Sequence, residues 1–190
     1  MRFLLIGRGR MGSLLEKTAL SGGDTVVAAL GREDLGRLRE LGKCADVVVD
    51  FSSPAALEAV VEYVKATATP YLSGVTGLSQ EQLALLRSAG AAAPVLWSAN
   101  FSLGVAVFCR ILSQVSSTLL PDFDVEITET HHNKKADAPS GTAKLLLQAL
   151  DPDHALTPVY GREGLCGPRK SGEVGIHALR GGTVAGTHTV

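Results

Sequence analysis

Phe3-Leu4-Leu5-Ile6-Gly7-Arg8-Gly9-Arg10-Met11-Gly12 is the stretch on which the fold turns. Its first four residues form an apolar run of strand length, and the three glycines that follow have the spacing GxGxxG. From Arg10 to Leu20 apolar residues then recur at helical intervals through Met11, Leu14, Leu15 and Ala19. Strand, glycine turn, helix is the context that gives such a spacing chemical meaning. Gly7 permits the tight turn, Gly9 lets a pyrophosphate approach the backbone, and Gly12 allows the helix to pack closely on the strand. The helix N-terminus adds unpaired N–H donors for a phosphate. An ordinary glycine turn is the competing reading, and the rest of the chain has to decide between them.

Outward from this turn the alternation repeats. Thr25 to Leu30, Val47 to Phe51, Tyr71 to Ser73 and Val95 to Trp97 read as short strands, and the first two lack the polar alternation of a strand with one wet face. Pro54 to Ala66 and Ser79 to Ala89 read as helices, the second opened by Ser79 with Gln82 three residues on, a capping box. Such alternation predicts an α/β fold, a Rossmann-type doubly wound parallel sheet. After Asn100 the pattern changes. One long amphipathic helix over Phe101 to Leu120 precedes alternating strands at Asp124 to Thr130, Val174 to Leu179 and Thr183 to Val190. This is α+β character with a mixed, largely antiparallel sheet. The expected organisation is a dinucleotide-binding domain over 1–101 and a substrate-binding and oligomerisation domain over 102–190, with Gly161 to Gly172 as a long loop inside the second.

The chain has 190 residues, with 18 Lys+Arg against 19 Asp+Glu and a net charge of -1, so no global field favours nucleic acid. Apolar residues make up 45% and charged residues 19%, enough to build a core and too few charges for a disordered tail. Cys44, Cys109 and Cys166 are scattered and odd in number, which suits reduced thiols and a cytoplasmic location. The N-terminal apolar run is shorter than the ~7–15 residues of a signal peptide's central region. No stretch reaches the ~18 apolar residues of a membrane span. A soluble, untargeted protein without a nucleic-acid or membrane partner is expected.

Two places suggest chemistry beyond the glycine turn. An NAD-selective site carries an acid about 20 residues on, at the end of the second strand. Gly31 stands there, followed by Arg32. An arginine beside an empty position accommodates a 2′-phosphate through charge-assisted hydrogen bonds, which favours NADPH over NADH. The second place is Glu129-Thr-His131-His132-Asn133-Lys134-Lys135-Ala-Asp137-Ala-Pro139-Ser140-Gly141-Thr142. Two histidines and two lysines crowd a strand end, and Ser140 caps a helix whose first positions, Gly141 and Thr142, offer free N–H groups to a carboxylate or phosphate. A cationic anion pocket follows. A zinc site is disfavoured, since adjacent histidines on an extended strand point apart and no cysteine is near. A solvated basic loop is the bland alternative.

That segment resembles the signature of the 4-hydroxy-tetrahydrodipicolinate (dihydrodipicolinate) reductase family. Arg10-Met11-Gly12, Asp50-Phe51-Ser52, Gly74-Val75-Thr76-Gly77, Ser98-Ala-Asn-Phe-Ser-Leu-Gly104, Arg180-Gly-Gly182 and Gly186-Thr-His188-Thr resemble further family segments, in order along nearly the whole chain. The resemblance implies an NAD(P)H-dependent oxidoreductase of lysine and diaminopimelate biosynthesis, with His131 and Lys135 as acid/base pair. It implies His132, Gly141 and Thr142 as contacts to a small cyclic dicarboxylate. It further implies Gly7, Arg8, Gly9, Arg10, Met11 and Gly12 at the pyrophosphate and Arg32 at the adenosine ribose. Gly74, Val75, Thr76, Ser98, Ala99, Asn100 and Phe101 would surround the nicotinamide end. A cytoplasmic homotetramer built from second-domain strands, and further strands and a helix beyond Val190, are likewise implied.

The chain departs from the family in a glycine turn one residue tighter, in Gly31, and in a short connection from Gly31 to Ala45. Another two-domain NAD(P)-dependent amino-acid dehydrogenase would share the first half, but not the His-His-Asn-Lys-Lys run. A non-catalytic NAD(P)-binding sensor would have no use for Lys135 beside an anion pocket.

Overall fold

A computed structural model describes residues 1–190 and divides them into two compact units, Met1–Ala99 and Asn100–Val190. The first unit runs β1 (Arg2–Ile6), α1 (Arg10–Ser21), β2 (Thr25–Leu30), β3 (Val47–Asp50), α2 (Leu57–Thr67), β4 (Tyr71–Ser73), α3 (Gln80–Ser88) and β5 (Val95–Trp97). Its five strands lie in the order β2-β1-β3-β4-β5, and every neighbouring pair is parallel. The near-continuous apolar strands bury Leu4, Ile6 and Val48 completely or almost so. In α2 the buried residues Leu57, Val60, Val61 and Val64 fall on one helical face, and the helix ends at Ala68 in the left-handed conformation. Full burial of such side chains contributes about 1.5–3 kcal/mol each. The capping box forms: Ser79 Oγ accepts from the Gln82 N–H at 3.2 Å, and Gln82 Oε1 accepts from the Ser79 N–H at 3.0 Å. Between β2 and β3 the short connection holds only a 3₁₀ segment, Arg32–Arg39, so the sheet carries one strand fewer beyond β2 than a six-stranded dinucleotide fold. The order still reverses at β1, between β2 and β3.

The second unit contains α4 (Leu103–Leu119), β6 (Val125–His131), α5 (Gly141–Leu150), β7 (Thr157–Tyr160), β8 (Glu173–Arg180) and β9 (Thr187–Thr189). Its sheet order is β7-β8-β6-β9. The expected mixed sheet forms, but its balance is not the largely antiparallel one expected: β8 runs parallel to both β6 and β7, and only β9 is antiparallel, to β6. The physical reason is the length of the connections. The loop from Gly161 to Gly172 is long enough to bring the chain back for a parallel pairing, which a tight hairpin cannot do. The strand β7 was not foreseen; Pro158 confines it to an edge, which is where it lies. The last strand is shorter than expected because Gly181 and Gly182, the latter at φ +52°, open a turn instead of extending it. Ile127, Val174 and Ile176 pack against Leu112, Ala143, Leu146 and Leu150 to make this unit's core. No helix is long and apolar enough to cross a membrane.

Candidate active site

The carboxyl ends of the parallel strands carry the glycine turn. Gly7, at φ +100°, follows β1, and a Cβ there would lie 2.6 Å from the Phe51 carbonyl oxygen. A Cβ on Gly12 would lie 1.8 Å from the Gly7 carbonyl oxygen, so the helix sits on the turn as closely as backbone allows. A Cβ on Gly9, by contrast, would meet nothing within 4 Å. That open side and the uncapped start of α1 leave room and donors for a phosphate. Gly7, Arg8, Gly9, Gly31, Arg32, Phe51 and Ser52 line one cavity of about 250 Å³. Ser52 Oγ is buried there without a hydrogen-bond partner. The residues present therefore fit a dinucleotide: glycines where a ligand must come close, and a hydroxyl that nothing else satisfies.

Next to this cavity Asp50 is fully buried, accepting from the Tyr71 hydroxyl and the Ser52 N–H, each at 2.9 Å. Burial pushes its carboxyl above the ordinary range, against the opposing pull of Ser52 and Tyr71. Gly74 N–H donates to the Asp50 carbonyl at 2.8 Å, and a Cβ on Gly74 would collide with the Phe51 ring. Val75 is buried, so only its backbone is available; its carbonyl already accepts from Trp97 Nε1 at 2.9 Å. Thr76 is exposed, and Ser98 N–H donates to the Ser73 carbonyl at 3.1 Å. The end of β2 is not devoid of acid. Asp34, three residues past Gly31, accepts from the Gly31 N–H at 3.1 Å and lies 3.8 Å from Arg8 Nη1.

In the second unit the predicted cluster forms around the end of β6 and the start of α5. His131 closes the strand and is buried; His132 lies just beyond it, with Nδ1 buried and unpaired. Lys135 is half-buried, its Nζ donating to Asp137 Oδ1 at 2.7 Å, whereas Lys134 is exposed. Ser140 caps α5, its Oγ accepting from the Ala143 N–H at 3.1 Å. Thr142 accepts at Oγ1 from Asn100 Nδ2 at 2.9 Å, so Asn100, expected at the nicotinamide, is tied to a residue expected at the substrate. Phe101 and Ala99 flank Asn100 in the segment leading to α4, and Phe101 is exposed.

Glu129 organises this cluster. It is completely buried, two residues before His131 on the same face of β6. Arg180 on β8 grips it with two hydrogen bonds of 3.0 and 2.9 Å, the Ser140 N–H donates to it at 3.0 Å, and His131 Nδ1 completes the set. Burial raises its pKa, but hydrogen bonds from Arg180, His131 and Ser140 outweigh that and hold it below the ordinary value. His188 on β9 stands edge-on to His131, ring centres 5.1 Å apart, and its Nε2 is 2.9 Å from Ser140 Oγ. Burial, then the charges of His131 and Lys135, push His188 below its ordinary value against the pull of Glu129. Glu129, His131 and His188 offer atoms within 4.8 Å of one another, close enough for a metal. The donors do not fit one: the Glu129 oxygens are taken by Arg180 and Ser140, and a guanidinium beside a cation is repulsive.

Sequence reading thus singled out His131, His132, Lys135, Gly141 and Thr142, which the structure brings to the end of β6 and the start of α5, but gave no role to Glu129, Arg180, His188 or Asp34. The period of two would have put Glu129 beside His131; nothing local points to Arg180. On the opposite face of β6, Arg162 and Arg169 pair with Glu126, which fastens the long loop away from this cluster.

Two family models, described as dihydrodipicolinate reductase N-terminus and C-terminus, match residues 1–101 and 104–190. The 4-hydroxy-tetrahydrodipicolinate reductase of Exiguobacterium sp. (strain ATCC BAA-1283 / AT1b) is 37% identical over 193 residues, covering 100% of this chain and 77% of the relative. That of Alkaliphilus oremlandii is 38% identical over 192 residues, covering 99% and 78%. Among solved structures, dipicolinate-bound dihydrodipicolinate reductase from Paenisporosarcina sp. TG-14 superimposes with a TM-score of 0.67 at 24% identity, over 99% of this chain and 81% of that one, a likeness of fold. With both halves matched in order, and with relatives above a third identical along the full chain, the chain belongs to the dihydrodipicolinate reductase family.

Proposed function

We propose that the chain reduces 4-hydroxy-tetrahydrodipicolinate to tetrahydrodipicolinate, a step of lysine and diaminopimelate biosynthesis, with NADPH or NADH as reductant. The observation that carries the proposal is the fold of Glu129 to Thr142. A strand end, a loop and a capped helix start bring His132, Lys135 and the first N–H groups of α5 into one segment. A ring with two carboxylates suits it. One carboxylate rests on the Gly141 and Thr142 N–H groups, where the helix dipole and unpaired donors favour an anion, and the other meets His132. Reduced nicotinamide, when bound, supplies the hydride to ring carbon C4 after the 4-hydroxyl has left as water. Lys135, an ammonium with protons to give, supplies the proton that converts the resulting enamine to the product imine, and His131 shares the acid/base work. A positioned general acid is worth ~10²–10⁴ in rate. Asp137 holds Lys135 meanwhile: burial opposes its ionisation, but Lys135 beside it keeps its carboxyl below the ordinary value.

At the adenosine end Arg32 lines the cavity and residue 31 has no side chain, which supports a preference for NADPH. The resemblance also implies a homotetramer in the cytoplasm; three free cysteines accord with a reducing compartment, and sedimentation measures the subunit number. The deciding assay follows cofactor oxidation with freshly generated cyclic substrate beside keto-acid and amino-acid controls. Turnover confined to the cyclic substrate is expected. Turnover of a control instead, or cofactor binding without any turnover, would reject the proposal.

A further inference from the structure

We infer that Glu129 is a positioning residue of the proposed reductase site: its buried carboxylate fixes the proton of His131 on Nδ1 and locks Arg180 and the start of α5 around that ring. The inference rests on the acid/base role proposed for His131. Glu129 is completely buried, so it acts only through its neighbours. Its Oε1 receives the Ser140 N–H and Arg180 Nη2, and its Oε2 receives His131 Nδ1 and Arg180 Nη1. A carboxylate offers about four acceptor sites, so this one is saturated and has none left for a substrate.

The saturation determines the tautomer. With Arg180 bound in fork geometry the carboxyl stays ionised, and an ionised carboxylate only accepts. His131 Nδ1 must then be the donor, which leaves Nε2 as the nitrogen that gains and loses a proton. A Cβ on Gly186 would lie 2.9 Å from Nε2 and 3.2 Å from Cδ2, so the chain places at that point a residue with no side chain. The charged and titratable groups facing the ring are Glu129 on its own strand, Arg180 on β8 and His188 on β9, with Lys135 acting on His188 from the loop. The same carboxylate reaches the α5 cap, so the ring and the anion-binding N–H groups share one anchor.

The test is nitrogen NMR of the full chain with ¹⁵N-labelled histidine, together with kinetics and cofactor titration of Glu129→Gln and Glu129→Asp. In the unaltered protein His131 is expected to keep Nδ1 protonated while only Nε2 titrates. Glu129→Gln is expected to lose that preference and to lower kcat on the order of 10²-fold, with the cofactor Kd unchanged. Glu129→Asp restores part of kcat. A merely structural acid would lower the melting temperature without moving the tautomer or kcat. A proton on Nε2 in the unaltered protein, or a folded Glu129→Gln with the original tautomer and turnover, overturns the inference. Should Glu129→Gln fail to fold, the spectrum of the unaltered protein decides alone. If that protein turns over no cyclic substrate, the acid/base reading falls, while the tautomer still shows whether Glu129 sets it.

Discussion

Arg32 and Asp34 stand just past the end of β2 with opposite charges, and in the proposed cofactor site a dinucleotide's adenosine ribose would meet both. A 2′-phosphate is drawn to guanidinium groups and repelled by a carboxylate; a free 2′-hydroxyl donates to a carboxylate. Arg32→Ala should therefore weaken NADPH by about tenfold, roughly 1.4 kcal/mol, and NADH much less. Asp34→Asn, which keeps the acceptor for the Gly31 N–H but removes the charge, should shift preference the other way. Fluorescence titration with both cofactors checks the pair, and equal losses for the two cofactors in Arg32→Ala would remove the phosphate role. In the proposed mechanism proton delivery depends on Lys135. Lys135→Ala should lower kcat by ~10²–10⁴ while leaving cofactor affinity intact, and unchanged turnover would take Lys135 out of the mechanism.

The start of α5 is where one residue serves three elements. Ser140 donates its N–H to Glu129 on β6, caps α5 through its Oγ, and meets His188 of β9. Ser140→Ala keeps the N–H bond but removes the other two, so it should lower stability by about 1 kcal/mol in urea titration. The same change should raise the substrate KM more than it lowers kcat, because the N–H groups proposed to hold the substrate carboxylate lose their fixed direction. The Ser140 cap and the Ser79–Gln82 box were legible because all their atoms lie within one turn of chain. So was the glycine turn, whose meaning depends on a strand before it and a helix after it. Arg180 was not legible as the partner of Glu129, since 51 positions separate them and only the β6–β8 pairing brings them together. The parallel sense of that pairing was hidden for a related reason: alternation along a strand reports which face is wet, not the direction of its neighbour. Asp34 was missed because a 3₁₀ turn, absent from the reading, folds its carboxylate back onto residue 31.

Across the whole chain the titrating carboxylates divide by unit, and acid should act on the two in opposite senses. In the second unit Glu126 and Glu129 are held below the ordinary range. Burial opposes this, but His177, Arg162 and Arg169 outweigh it for the first, and Arg180, His131 and Ser140 for the second. Their stabilisation is present above the unfolded carboxylate pKa of about 4.3 and is lost as pH falls through the lower folded values. In the first unit the buried carboxyl is Asp50, which burial pushes up. The folded state takes up its proton before the unfolded state does, so this unit gains stability as pH falls from the raised value toward the unfolded one near 3.9. Asp46 and Glu81 are also lowered, by hydrogen bonds with Arg2 and Ser79, but they are exposed and solvent screens them. The net charge of -1 adds no large repulsion at neutral pH, so the local groups decide. Acidification should then open β6 and β8 before β1 and β3. The single tryptophan, Trp97, lies in β5 of the first unit, where its Nε1 donates to the Val75 carbonyl, and reports on that unit. Pulsed hydrogen exchange should record loss of β6–β8 protection at a higher pH than the change in Trp97 fluorescence, and Glu129→Gln should narrow that gap. Simultaneous transitions, or tryptophan changing first, would mean that Glu126 and Glu129 do not govern acid stability in the second unit.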